Sequence, residues 1–218
     1  MKGRLHMVSS SLVAPELASI EVHGTTRQAF LMRSTLAAGA AYGAMSATGL
    51  ISKALAESGG GDVDILNFAL TLEYLETEFY TRAAKQVKGL SSYESKLTRE
   101  LRDNEAAHVD ALTAAIKDLG GKPVAKPTFD FGAAFGSRAS YLKTANVLED
   151  TGVSAYNGAA PMISSVQVLA AAGSIVQVEA RHAAMIRLVR NSPPAPKAFD
   201  TASEMDAVLT AIKPFIAG

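Results

Sequence analysis

From Asp62 onward, apolar residues return every three or four positions, the period of helices that turn one face to a core. The stretch "DVDILNFALTLEYLETEFYTRAAKQ" runs about 25 residues without proline or glycine, which predicts a first long helix with Asp62 or Asp64 as its N-cap. A second helix opens at a capping box, Ser91 with Glu94, and runs to the stop at Gly120-Gly121. A third is expected from about Ser140 to Gly158, and Pro161 breaks the chain before a fourth from about Ser164 to Arg190. A second capping box, Thr201 with Glu204, predicts a short fifth helix ending near Pro214.

Between helices two and three lies the irregular segment "GKPVAKPTFDFGAAFGSR", too long to be a simple turn. Extended, some 18 residues reach about 60 Å, against about 30 Å for a 20-residue helix. The segment can therefore carry the chain from one end of a bundle to the other and leave helices two and three parallel. The expected fold is all-α: a four-helix bundle with one long crossover between helices 2 and 3, plus a short C-terminal helix. The crossover phenylalanines are expected to pin it to the bundle.

The first 56 residues follow a different pattern. They hold 5 of the 21 Lys and Arg but only 2 of the 21 Asp and Glu, and lead into the Ala/Gly-rich run Ser34 to Ile51. That run is too short and too weakly apolar for a stable membrane span. Thr26 to Leu31, "TRQAFL", resembles the twin-arginine export motif, with Gln28 where its second arginine would stand. Ala54-Leu55-Ala56 has the form of a signal-peptidase site. The expected organisation is an export leader over 1–56 cleaved after Ala56, a joint over 57–61 and a domain over 62–218. The expected location is periplasmic or extracellular; an unprocessed N-terminal helix, in a cytoplasmic protein, is the alternative.

Composition narrows the chemistry. Formal charge is zero, and no basic stripe interleaves with aromatics, so nucleic acid is not an expected partner. Cysteine is absent, so any metal must be held by oxygen and nitrogen.

Aligning the first two helices with the second two brings polar residues into register. Glu73-x6-Tyr80 repeats as Glu149-x6-Tyr156 after 76 residues, and Glu105-x2-His108 repeats as Glu179-x2-His182 after 74. Each spacing keeps its two residues on one helix face. On helix two that face also carries Leu97, Leu101 and Leu112; on helix four it carries Ala172, Ile175 and Ile186. Buried carboxylates are costly unless paired or bound to metal, and no Lys or Arg occupies the corresponding inward positions. Two divalent cations would neutralise the four glutamates. Carboxylate with imidazole suits iron, the first choice, or manganese, while zinc favours smaller coordination numbers.

Glu76, one turn beyond Glu73, is an additional candidate ligand, although its counterpart in the second half is Gly152 and a peripheral carboxylate is the plainer expectation. Glu78 and Asp150 are expected to face outward, as are Arg181, Arg187 and Arg190; His6 and His23 lie in the leader and are assigned nothing.

The phrases "ILNFALTLEYLETEFY", "NEAAHVDAL", "LEDTGVSAYNGAAP" and "VEARHAAMIRLVR" resemble the ferritin-like superfamily, in particular exported ferritin-like domain proteins related to plant desiccation-associated proteins. The resemblance spans about Asp62 to Ile216. It implies a ligand set of Glu73, Glu105, His108, Glu149, Glu179 and His182, with Glu105 and Glu149 as candidate bridges between two iron ions. It also implies that Tyr80 and Tyr156 hydrogen-bond carboxylates across the bundle. The implied activity is ferroxidase- or peroxidase-like, with dioxygen or peroxide as partner and homo-oligomers a further implication. Manganese catalase-like disproportionation and non-enzymatic metal binding, storage or stress protection stay open.

Overall fold

The computed structural model describes residues 61–217, and the leader with its proposed cleavage site lies outside them. Among these residues the chain forms five α-helices: α1 Asp62–Gln86, α2 Ser92–Asp118, α3 Arg138–Ala159, α4 Val166–Val189 and α5 Met205–Ile212. A 3-10 turn, Ala160–Met162, follows α3 at Pro161, and another, Lys213–Phe215, follows α5. None of the described helices is long and apolar enough to cross a membrane.

Contacts at the helix ends fix the direction of each. Asp62, at the start of α1, accepts hydrogen bonds from the backbone N–H groups of Ser164 and Ser165, both at 2.7 Å, where α4 begins. At the opposite end Arg138, opening α3, donates to Glu94 in the first turn of α2 and to the carbonyl of Val189, which closes α4. So α1 and α4 run one way and α2 and α3 the other, as the long crossover requires.

The crossover runs down the flank of α1. Asn67 holds its first turn, accepting from Val124 N–H at 2.7 Å and donating to the carbonyl of Lys122 at 3.2 Å. Further along, Glu78 pairs with Lys126, and Arg82 lies over the Phe131 ring, 5.4 Å from its centre. Phe131 and Phe135 each lie 5.3 Å from Phe79, ring centre to ring centre. The phenylalanines thus anchor the crossover in the core. The C-terminal tail completes the layer: Asp130 N–H donates to the Phe215 carbonyl, and Ala217 N–H to that of Thr128.

Three helix starts differ from the sequence expectation. The N-cap of α1 is Gly61, with no side-chain cap; Asp62 instead accepts from the backbone N–H groups just before α4, while Ser165 caps that helix through Val168 N–H. Helix α3 begins two residues early, because Ser137 and Ser140 form a capping box without a glutamate. The Thr201–Glu204 box does not form, and α5 starts at Met205. Residues 201–204 stay extended because they bind α3: Ser203 N–H donates to the Ser154 carbonyl and Asn157 to that of Thr201. Gly158 permits this approach, since a Cβ there would sit 1.9 Å from the Ser203 carbonyl oxygen.

Candidate metal centre

All four bundle helices send carboxylates to one buried level. Glu73, Glu105, Glu149 and Glu179 are wholly inaccessible, Glu76 and His182 are 2% exposed, and His108 is 9% exposed. No Lys or Arg is among the buried polar residues of the described chain. The capping-box serine of α2 and the Ser165 cap of α4 set the phase of the two helices that carry Glu-x2-His.

Two overlapping quartets emerge. Glu73, Glu105, His108 and Glu179 place one donor atom each within 4.8 Å of one another, and so do Glu105, Glu149, Glu179 and His182. The shared residues are Glu105 and Glu179. Glu149, an expected bridge, belongs to one quartet alone. The repeat itself supplies the reason: it exchanges Glu105 with Glu179 and Glu73 with Glu149, so two shared groups must be an exchanged pair.

The contacts within the cluster exceed what protons can satisfy. His108 Nδ1 lies 2.9 Å from Glu105, 3.1 Å from Glu179 and 3.2 Å from Glu73. One ring N–H faces three carboxylates. His182 Nδ1 lies 2.8 Å from Glu105 Oε1 and 3.5 Å from Glu149 Oε2, yet has no hydrogen-bond partner. Also without a hydrogen-bond partner are Glu76 Oε1, Glu105 Oε1, Glu149 Oε2 and both oxygens of Glu179. Buried unpaired polar atoms are rare in native proteins, and carboxylate and imidazole atoms left so within two quartets fit cations.

The remaining oxygens are tied down from across the bundle. Tyr156 on α3 donates to Glu73 Oε1 of α1 at 2.5 Å, and Tyr80 on α1 donates to Glu149 Oε1 of α3. Asn104 was not singled out from the sequence; its side-chain amide lies 3.0 Å from His182 Nε2. With Nδ1 turned to the carboxylates, Nε2–H would donate to the amide oxygen, since the two ends of the Asn104 amide are interchangeable by a flip.

Electrostatics follow from this crowding. Burial disfavours the charged imidazole of His108, but the carboxylates of Glu105, Glu179 and Glu73 outweigh it and push its pKa up to about 12. His182 is raised to about 11 against the same burial cost, by Glu105 and Glu149. Burial also pushes Glu105 up, but the two imidazoles prevail and hold it at about 2. Glu73 rises to about 7, mainly through burial, opposed by His108. Burial raises Glu149, and raises Glu76 and Glu179 far above the usual carboxylate range with help from neighbouring carboxylates. The metal-free cluster therefore carries protons that a metal would displace.

Glu76 is the main departure from the sequence expectation. It is neither peripheral nor solvated: it is buried beside the cluster, outside both quartets, where a Cβ at Gly152 would lie 3.3 Å from its Oε1 and 3.2 Å from Glu179 Oε2. Glu78 pairs with Arg82 and Lys126, and Asp150 with Arg187, on the outside of the bundle. Arg187 is more covered than expected, its side chain only 17% exposed.

A comparison with curated protein sequences finds no match. The model of the ferritin-like domain family matches residues 61–192, which takes in all four bundle helices and stops before α5. Buried carboxylates and imidazoles on four helices, the crossover between α2 and α3 and this match lead to one conclusion: the chain belongs to the ferritin-like domain family.

Proposed function

We propose that the chain binds two metal ions, iron in the first place and manganese as the alternative, in the pocket between its four bundle helices. The observation that carries this reading is the set of five carboxylate oxygens and one imidazole nitrogen that are buried there without hydrogen-bond partners. Glu73 and His108 would hold one ion, Glu149 and His182 the other, and Glu105 and Glu179 would bridge. Hard carboxylate oxygens with imidazole nitrogens suit such ions, and their two positive pairs of charge balance four glutamates.

When bound, a pair of redox-active ions supplies electrons to dioxygen or peroxide, the ferroxidase- or peroxidase-like activity we assign. The protein's part is to fix the donors and keep water out. Tyr80 and Tyr156 orient Glu149 and Glu73 through their hydroxyls, leaving the other carboxylate oxygen for the metal. His108 is the most exposed member of the cluster, so small molecules approach beside it. We also assign residues 1–56 to export, on their basic start, apolar run and Ala54-Leu55-Ala56.

The test is metal analysis of the chain purified without added metal and again after anaerobic loading with ferrous or manganous ions. About two ions per chain are expected, and His182→Ala should lower that number and abolish turnover of dioxygen or peroxide. Unchanged stoichiometry in His182→Ala would refute the ligand assignment. Turnover of peroxide with manganese alone would favour disproportionation, and a large shell holding many irons would favour storage.

A further inference from the structure

Among the glutamates, histidines and tyrosines of the pocket, the two halves of the bundle match at every position but one. The repeat that carries Glu73 onto Glu149 and Tyr80 onto Tyr156 carries Glu76 onto Gly152. One half has a carboxylate there and the other has no side chain. The two residues also face each other: a Cβ at Gly152 would lie 3.3 Å from Glu76 Oε1 and 3.2 Å from Glu179 Oε2. The absent side chain leaves the space in which the Glu76 carboxylate approaches Glu179.

Nothing else accounts for Glu76. It is 2% exposed, its Oε1 has no hydrogen-bond partner, and no Lys or Arg is buried with it. Gly152 stands on α3 three residues beyond Glu149, so Glu76, although it stands on α1, lies against the helix that carries Glu149 and beside Glu179. A buried carboxylate with no proton donor and no cationic partner fits a place beside a metal.

We propose that Glu76 is a seventh protein ligand, added to the ion held by Glu149 and His182, so that the two metal positions are unequal. This rests on the dinuclear reading above. Five carboxylates then face two divalent ions, and the surplus negative charge belongs to one position. That position fills first and holds its ion more tightly; the one formed by Glu73 and His108 fills second.

The experiment is a titration of the metal-free full chain with cobaltous ion, followed by calorimetry and by visible absorption. Two steps are expected, separated by more than about tenfold in affinity. Glu76→Gln, which keeps the shape, should still bind both ions but bring the steps to about the fourfold ratio of two equal, independent sites. His182→Ala should remove the tighter step and His108→Ala the weaker one. A Glu76→Gln titration with the wild-type separation would overturn the proposal, as would loss of the tighter step in His108→Ala. Those results leave the dinuclear reading standing, whereas a wild-type chain that binds no cobalt would sink both. Circular dichroism melts of the metal-free variants verify folding, and Glu76→Gln should melt close to wild type because the amide keeps the shape of the buried, protonated carboxyl.

Discussion

The half of the bundle formed by α1 and α2 and the half formed by α3 and α4 are alike inside and unlike outside. Inside, glutamate answers glutamate, histidine answers histidine, and each tyrosine reaches the other half's carboxylate. Outside, α2 presents Lys96, Arg99, Glu100, Asp103, Asp110 and Lys117, whereas α4 leaves Val166, Leu169, Met185 and Leu188 exposed. The difference teaches which constraint acts where. Donor geometry about a shared centre admits few residue types, while an outward face is free to follow solvent or neighbours. The inward glutamate without a counterpart, Glu76 against Gly152, is for that reason the position to watch.

The sharpest way to break the equivalence of the halves is to remove ligands in matched pairs. Replacing Glu105 or Glu179 by Ala should cost both ions, since each stands in both quartets, while Glu73→Ala or Glu149→Ala should cost one. Metal content per folded chain reads this directly. If Glu149→Ala emptied both positions and Glu179→Ala only one, the bridging assignment would be reversed.

A second effect separates the protein with metal from the protein without it. Glu73 is raised in the folded state to about 7 from 4.5, and Glu76, Glu149 and Glu179 are raised as well. The folded chain thus binds more protons than the unfolded one between these values, so metal-free stability should fall as pH rises from about 4.5 to 7 and beyond. The raised histidines act in the same direction, their contribution being full below about 6.5 and lost only as pH climbs towards 11 and 12. Glu105, held low, contributes in the other sense, and its share is lost only as pH drops from 4.5 towards 2. Metal binding must displace protons and should strengthen as pH rises. Thermal melts at pH 5 and pH 8, with and without manganous ion, should therefore show opposite trends; parallel trends would mean that the cluster does not exchange protons for metal.

Two glycines sharpen the comparison of α3 with α4. Gly158→Ala forces a Cβ into the Ser203 backbone and should cost about 1–3 kcal/mol or more. Gly173→Ala on α4 meets nothing within 4 Å and should stabilise by about 0.5–1 kcal/mol. Chemical denaturation of the two variants tests whether α3 is closed by the 201–204 segment while α4 is open. The tyrosines test the binding side of the comparison: Tyr80→Phe and Tyr156→Phe should each weaken metal binding by about tenfold, and by similar factors. Unequal losses would show that the halves differ beyond Glu76.

Helix number, the crossover and the internal repeat were legible in the chain because they depend on spacing, which sequence records. The inward placement of the clustered glutamates and histidines was legible for the same reason: Glu-x2-His interrupts an apolar stripe, and burial of that stripe carries the polar pair inward. Glu76 was harder to read. Its counterpart is a glycine, which in a linear comparison looks like a gap in the repeat and in space is the room the Glu76 carboxylate needs. Asn104 gave no signal, since its importance lies in a ring nitrogen 78 residues away.

The sequence by itself determined the class of the fold and the kinds of donor at its centre, because helical period and the cost of burying charge are local and chemical matters. Only the tertiary structure decided that Glu179 joins Glu105 in both quartets, that Asp62 serves α4 in place of its own helix, and that residues 201–204 lie along α3 without forming a helical turn. Each of these depends on which backbone ends and oxygens meet across the bundle. That meeting is settled when four helices share one core, and no spacing along the chain encodes it.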